Sequence, residues 1–345
     1  MGDADHTAEP NSVSGHPYDN ASVAQRLGGE AFSVERDGLV FDGFRVAGRA
    51  ADSATDGAAN ASTDGTTDDG DGAAEREGAS AVGVSEEDRP VAVLVHGWPQ
   101  FAACWEETAR ALADAGIDVI AYDQRGYSPG ARPDDVADYD VAKLVGDLRG
   151  LVHEWGLGRF HLVGHDWGGI VGWSYAAMHP DELATFTSVS TAHPIAHGQR
   201  IAQDPYQYER MHYLRRIRQD PAGVEERLLA DDGSRLAAMY EGAIDDDRVR
   251  SYVERFSQPG TMEAALKYYR ALGGDDSAAL TGITVPTLYV WGSEDLAFSR
   301  GAAELTGDHV DADYRFVEIP GATHWLPEEE PRVVSGAVID WIREH

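Results

Sequence analysis

An α/β fold, with a mainly parallel sheet flanked by helices and carrying a helical insertion, is predicted for this 345-residue chain by three observations. From Val91 onward short apolar runs alternate with amphipathic helical patterns, the rhythm of parallel strands joined by crossover helices. The run Phe160 to Val163 meets a glycine-rich corner, Gly164-His165-Asp166-Trp167-Gly168-Gly169, and then the helix-like segment Ile170 to Met178. Between His193 and Thr281 the strand rhythm stops, and the sequence turns rich in Arg, Tyr and Leu at helical spacing.

Met1 to about Arg26 is polar and aperiodic, and residues 1–26 are expected to be disordered. Phe32 to Glu35 and Leu39 to Ala47 alternate apolar and polar residues around Asp37-Gly38, which predicts an antiparallel hairpin at the start of the sheet. Gly48 to Pro90 consists mostly of Ala, Asp, Gly, Ser and Thr. Too little apolar surface is available there to offset the entropy of ordering, so residues 48–90 read as a long acidic, disordered loop between two strands. Strands are expected at Val91 to Val95, Val119 to Tyr122, Phe160 to Val163, Phe186 to Val189, Thr287 to Trp291 and Tyr314 to Glu318. Helices are expected at Trp105 to Ala115, Val141 to Trp155, Ile170 to Met178 and Val333 to Arg343. Residues 27–192 and 282–345 would form the core domain, with residues 193–281 inserted as a helical cap.

Asp and Glu number 60 against 28 Lys and Arg, for a formal net charge of -32, and Lys143 and Lys267 are the only lysines. Such a surface suits a salt-adapted protein, whose self-repulsion is screened once the Debye length shrinks to about 3 Å near 1 M salt. No basic stripe is available to neutralise phosphates, which excludes a nucleic-acid partner. Met1 to Asn20 has neither a basic nor an apolar targeting region, and no apolar run is long enough to cross a bilayer. No membrane association and a cytoplasmic location are therefore expected. Cys104 is the lone cysteine, so neither an intrachain disulfide nor a cysteine-based metal site can form. His153, His161, His179 and His309 show no metal-ligand spacing, and neither metal nor cofactor is expected.

A strand, a tight glycine corner and a helix put Asp166 at the apex of a turn. A carboxylate there attacks an sp³ carbon and becomes an ester that water must hydrolyse. Epoxide opening and dehalogenation fit this chemistry, whereas ordinary ester or peptide hydrolysis does not. Such a nucleophile needs a base, an acid to orient that base, and donors for the oxyanion. Asp295 follows the expected strand Thr287 to Trp291, and His324 follows Tyr314 to Glu318. Both fall beyond the carboxyl ends of parallel strands, the edge where such sheets bind ligands. His324 is then the base that activates water, and Asp295 fixes its tautomer. The backbone N–H groups of Trp98 and Trp167 would form the oxyanion hole, while their indoles wall a pocket for a small apolar substrate. His96 and His165 read as structural supports of the two loops.

Four segments in this order resemble the α/β-hydrolase superfamily, and within it the epoxide hydrolase group. They are His96-Gly97-Trp98-Pro99, Asp123-Gln124-Arg125-Gly126-Tyr127-Ser128, Gly164-His165-Asp166-Trp167-Gly168-Gly169 and Gly321-Ala322-Thr323-His324-Trp325. The corner at Asp166 matches the G-x-S-x-G nucleophile elbow with aspartate replacing serine. The resemblance implies an α/β-hydrolase fold with a helical cap, and a triad of Asp166, Asp295 and His324. It also implies two cap tyrosines that hold the epoxide oxygen. Leu266-Lys267-Tyr268-Tyr269-Arg270 resembles the second tyrosine motif, with Tyr269 in the matching place. For the first, His212-Tyr213-Leu214 fits with a one-residue offset, and Tyr206 and Tyr208 are its rivals. Haloalkane and haloacetate dehalogenases share the fold and triad and form the alternative reading. Haloacetate enzymes typically carry arginine where this chain has Trp167; haloalkane enzymes commonly carry Asn or Glu where it has Trp98, and lack the tyrosine pair. A non-catalytic binding protein on the same fold is a third reading.

Overall fold

Eight strands form one sheet among the described residues, 17–49, 89–272, 280 and 282–345 of a computed structural model. They are β1 (Glu30–Arg36), β2 (Leu39–Val46), β3 (Val91–Val95), β4 (Asp118–Tyr122), β5 (Phe160–His165), β6 (Leu183–Val189), β7 (Thr287–Gly292) and β8 (Tyr314–Ile319). Their spatial order is β1-β2-β4-β3-β5-β6-β7-β8, antiparallel for β1–β2 and β2–β4 and parallel for the rest. The hairpin closes on Asp37 and Gly38, both at positive φ (51° and 78°), the conformation whose twist matches that of paired strands. Central strands β5 and β7 are buried throughout, as their continuous apolar runs require when helices cover both faces, whereas edge strands β1 and β8 remain half-exposed.

The helices before the insertion are α1 (Asn20–Leu27), α2 (Glu106–Asp114), α3 (Val141–Glu154) and α4 (Trp167–Met178). Between β6 and β7 run α5 (Pro194–Gln203), α6 (Pro205–Arg210), α7 (His212–Gln219), α8 (Pro221–Ala238), α9 (Asp246–Phe256) and α10 (Thr261–Ala271), followed after β7 by α11 (Arg300–Leu305), α12 (Leu326–Glu329) and α13 (Pro331–Glu344). Buried polar contacts tie the inserted helices to the core. Tyr240 donates to the Pro99 carbonyl at 2.6 Å, Tyr268 to the Arg125 carbonyl at 2.6 Å, and Arg255 to Asp123 at 2.6 Å. Among the described residues no helix is long and apolar enough to cross a membrane.

The N-terminal expectation needs correction. Asn20–Leu27 is a helix, not disordered chain: Asp19 caps it by accepting from the Ser22 N–H at 2.7 Å, Gly28 closes it at φ 69°, and Val23, Ala24 and Leu27 are buried. Eight residues give too short a period to stand out, but the cap residues at both ends were the signal. Residues 1–16 lie outside the described part. So does the acidic segment 48–90 apart from residues 48, 49, 89 and 90, of which Gly48 and Arg89 both hydrogen-bond Asp118 Oδ1, at 2.6 and 2.9 Å. Helix α4 begins at Trp167, three residues before the expected start, because the turn at Asp166 leads into it without a linker.

Candidate active site

Asp166 joins β5 to α4 at φ 50° and ψ -115°, a backbone conformation that residues with a side chain rarely adopt. The corner can be this tight because its neighbours lack Cβ atoms. One added at Gly164 would sit 2.2 Å from the Gly168 carbonyl oxygen, and one at Gly168 would sit 2.1 Å from that of Val95. The turn projects the Asp166 side chain beyond the sheet edge, where Trp98 N–H donates to its Oδ1 at 2.8 Å. Thr191, after β6, donates its hydroxyl to the Asp166 carbonyl at 3.2 Å and braces the corner from behind.

His324, from the loop after β8, faces both acids: its Nε2 lies 3.5 Å from Asp166 Oδ2 and its Nδ1 3.0 Å from Asp295 Oδ2. The other Asp295 oxygen accepts the N–H groups of Ala297 at 2.7 Å and Phe298 at 3.0 Å, so this buried carboxylate is held on both oxygens. Burial disfavours the His324 cation, but Asp295 and Asp166 outweigh it and push the imidazole up to about 10. Burial would raise Asp166, yet His324 and the Trp98 amide hold it below its usual range. The resting pair is thus carboxylate and imidazolium. The imidazolium's share of folding stability is complete below the unfolded value of 6.5 and lost as pH rises through about 10; the Asp166 share is present above 3.8 and lost as pH falls below it.

His96 and His165 sit behind the site as neutral, buried rings. Desolvation lowers them to about 4 and about 3 respectively. The His96 Nδ1 donates to the Gly97 carbonyl at 3.0 Å and its Nε2 accepts the Gln124 N–H at 3.1 Å, which fixes one tautomer. His165 Nε2 donates to the His324 carbonyl at 2.9 Å and so steadies the base through its backbone.

Aromatic rings roof the carboxylate. Tyr269 is buried on α10, edge-on to Trp98 (6.0 Å between ring centres), Trp167 (5.2 Å) and Tyr213 (5.7 Å). Desolvation first, then the neighbouring Tyr213 and Asp166, raises the Tyr269 phenol well above 10, and the Trp167 side chain hydrogen-bonds it. The Tyr213 phenol is also raised, first by desolvation and next by Asp166, against an opposing hydrogen bond with Tyr269. Although Tyr213 is 39 % exposed as a residue, its hydroxyl end points inward to this pair. Tyr208 is 54 % exposed and edges His212 at 5.5 Å; the Tyr206 side chain lies outside the described part. The structure therefore brings Asp166, Asp295, His324, Trp98, Trp167, Tyr213 and Tyr269 together. Among the described residues, the Trp98 amide donates to the Asp166 carboxylate. Trp167 is the first residue of α4, and it reaches the site through its indole.

Gln207 was not anticipated. It is buried on α6, donates Nε2 to the Ala297 carbonyl at 2.7 Å and accepts the Ser299 N–H at 2.8 Å, while Arg210 donates to the Asp295 carbonyl at 2.7 Å. The inserted helices thus grip the loop whose amides hold Asp295. Those partners lie about 90 positions away in sequence, and local pattern carried no sign of them. Among the described residues no group of three His, Cys, Asp or Glu is placed to hold a metal ion.

Comparison with known proteins gives a consistent result. Residues 90–331 match the family model described as alpha/beta hydrolase fold. The chain is 31% identical over 263 residues to the AB hydrolase superfamily protein YfhM of Bacillus subtilis, covering 74% of this chain and 91% of the relative. It is also 31% identical over 299 residues to Epoxide hydrolase A of Mycobacterium tuberculosis, covering 76% and 92%. The crystal structure of Epoxide Hydrolase A from Mycobacterium thermoresistibile superposes with a TM-score of 0.67 at 25% identity, over 91% of this chain and 98% of that one.

Proposed function

We propose that this chain, which belongs to the α/β-hydrolase family, is an epoxide hydrolase that opens epoxides to vicinal diols through an ester on Asp166. The observation that carries the reading is the pair of phenols, Tyr213 and Tyr269, facing the carboxylate that His324 and Trp98 hold ionised. In the first step Asp166 Oδ2 attacks an epoxide carbon, the ring C–O bond breaks, and the leaving oxygen takes a proton from one phenol. Raised phenols stay neutral at working pH, and an alkoxide is basic enough to deprotonate them. Once the ester has formed, His324 passes its resting proton to the tyrosinate through solvent; in the second step its neutral Nε2 removes a proton from water, the hydroxide adds to the ester carbon, and the Trp98 N–H stabilises the oxyanion on Oδ1. Collapse releases the diol and restores the carboxylate, and the proton taken from water leaves His324 as the imidazolium of the resting site. Helices α5–α10 act as the cap that supplies the phenols and excludes bulk water.

The order of charges supports this sequence. While Asp166 is ionised, His324 is held protonated and cannot act as a base; esterification removes one of the two carboxylates that raise it, so the imidazole becomes a base only once there is an ester to hydrolyse. Halide release by the same triad is the competing chemistry. It needs free N–H donors beside the leaving group, and the Trp167 side chain is engaged with Tyr269.

Turnover decides between them. With styrene oxide, 1-bromobutane and chloroacetate supplied in parallel, diol is expected from the first and no halide from the others. The variants Tyr213→Phe and Tyr269→Phe are expected to lose roughly 10- to 100-fold each, and the double variant roughly 10² to 10⁴, the range of a general acid. Halide without diol, or full epoxide turnover by the double variant, would overturn the assignment.

The acidity supports a salt-adapted protein. Self-repulsion at a net charge of -32 predicts a melting temperature that climbs between 0.1 M and 3 M KCl. A melting temperature that does not change with salt would remove this part of the reading.

A further inference from the structure

A cavity of about 230 Å³ shares two residues, Trp98 and Tyr213, with the site. Its wall is apolar, with Ile217, Val224, Leu228 and Met239 among the contributors, and three guanidinium side chains, Arg216, Arg227 and Arg235, complete the lining. Each arginine stands three or four residues from a wall residue on the same helical segment: Arg216 beside Tyr213, Arg227 beside Val224, Arg235 beside Met239. That spacing puts each on the face that borders the cavity. The last pair is brought round by a reversal inside α8, where Asp231, Asp232 and Gly233 all have positive φ.

Charge balance makes the trio unusual in this chain. Helix α7 holds three arginines and no carboxylate, in a protein of net charge -32. Among the described residues no carboxylate lines the cavity. Arg227 has Asp220 at 3.5 Å, whereas Arg216 and Arg235 have no carboxylate partner among the described residues. An uncharged epoxide gains nothing from a ring of cations beyond contact with their methylene stems.

We propose that Arg216 and Arg235, with Arg227 beside them, recognise a carboxylate at the end of the substrate remote from its epoxide. This rests on the epoxide-opening reading of the same site and names its substrate class. The apolar wall takes the intervening methylenes, Tyr213 and Tyr269 take the epoxide oxygen, and the arginines anchor the other end. The anchor also sets which epoxide carbon meets Asp166.

The experiment compares kcat/KM for 7,8-epoxyoctanoate with that for its methyl ester and for 1,2-epoxyoctane, at the lowest salt at which the protein stays folded. Exposed guanidinium–carboxylate pairs contribute a few-fold each, so two or three together predict roughly a tenfold preference for the carboxylate. In the double variant Arg216→Gln/Arg235→Gln the ratio is expected to fall toward one. A double variant of matched charge far from the cavity, Arg149→Gln/Arg315→Gln, keeps the preference, which separates local recognition from the change in net charge. No preference in the parent protein, or an equal loss on all substrates in the first double variant, overturns the proposal. Binding of octanoate against octan-1-ol, followed by tryptophan fluorescence, reads the same site without chemistry. Arginine-dependent octanoate binding with no epoxide turned over would sink the epoxide reading and keep the anion site; turnover of all three epoxides at equal rates would do the reverse.

Discussion

His324→Gln is expected to consume one equivalent of epoxide per enzyme and then stall. Glutamine keeps the side chain polar and roughly filled but cannot take a proton from water, so the second step loses its base while the first keeps its nucleophile. The loss in steady-state turnover should be roughly 10² to 10⁴, the usual worth of general base catalysis. Intact-protein mass spectrometry should find the enzyme heavier by one substrate, and proteolysis should map the adduct to the peptide containing Asp166. Full turnover in this variant, or loss of the initial burst with no adduct, would sink the two-step mechanism. The parent enzyme carries a matching pH signature. His324 is raised to about 10 only while both carboxylates are charged, and the ester removes one of them. The kcat profile should therefore rise through an apparent pKa below 10, as the imidazole of the ester form becomes neutral.

Much of this machinery was legible because it is local. The elbow is six consecutive residues, and Gly164 is required by a contact within the turn itself, against Gly168, while Gly168 and Gly169 are required by Val95 and Thr191 on neighbouring segments. Asp295 and His324 could be placed from sequence because each follows an apolar run by a few residues, and parallel strands deliver their carboxyl ends to one edge. Tyr213 was harder. On a helix a one-residue offset turns the side chain by about 100°, so sequence left Tyr206, Tyr208 and Tyr213 open, and the packing of Tyr213 against Tyr269 at 5.7 Å is what favours it. The amide of Trp167 stands at the first position of α4, where an N–H has no intrahelical acceptor, and the ester oxyanion expected to meet it does not exist in the free carboxylate. Gln207 and Arg210 could not have been found from sequence, since what they grip is a backbone segment brought close only by the insertion folding back on β7.

Asp166→Ala and Asp166→Gly should both abolish diol formation, by at least about 10⁴-fold on the scale of lost nucleophiles, because no other carboxylate occupies the apex. They should differ in stability, and in an unusual direction. Glycine normally costs about 0.5–1 kcal/mol relative to alanine through the entropy of the unfolded chain. At φ 50° and ψ -115°, however, any side chain incurs strain of order 1–3 kcal/mol, which glycine relieves and alanine retains. The net expectation is a glycine variant more stable than the alanine variant by about 1 kcal/mol, read as a higher melting temperature by roughly 2 °C. Both variants lack the carboxylate and leave His324 with Asp295 alone, so their difference isolates the backbone. An alanine variant as stable as the glycine one would mean that the corner is not strained, and residual diol formation by either would remove Asp166 from the role of nucleophile. If both expectations hold, the fold sustains a strained corner at the position where its chemistry needs a carboxylate raised above the sheet, and the glycines around it keep that strain within what the folded state can bear.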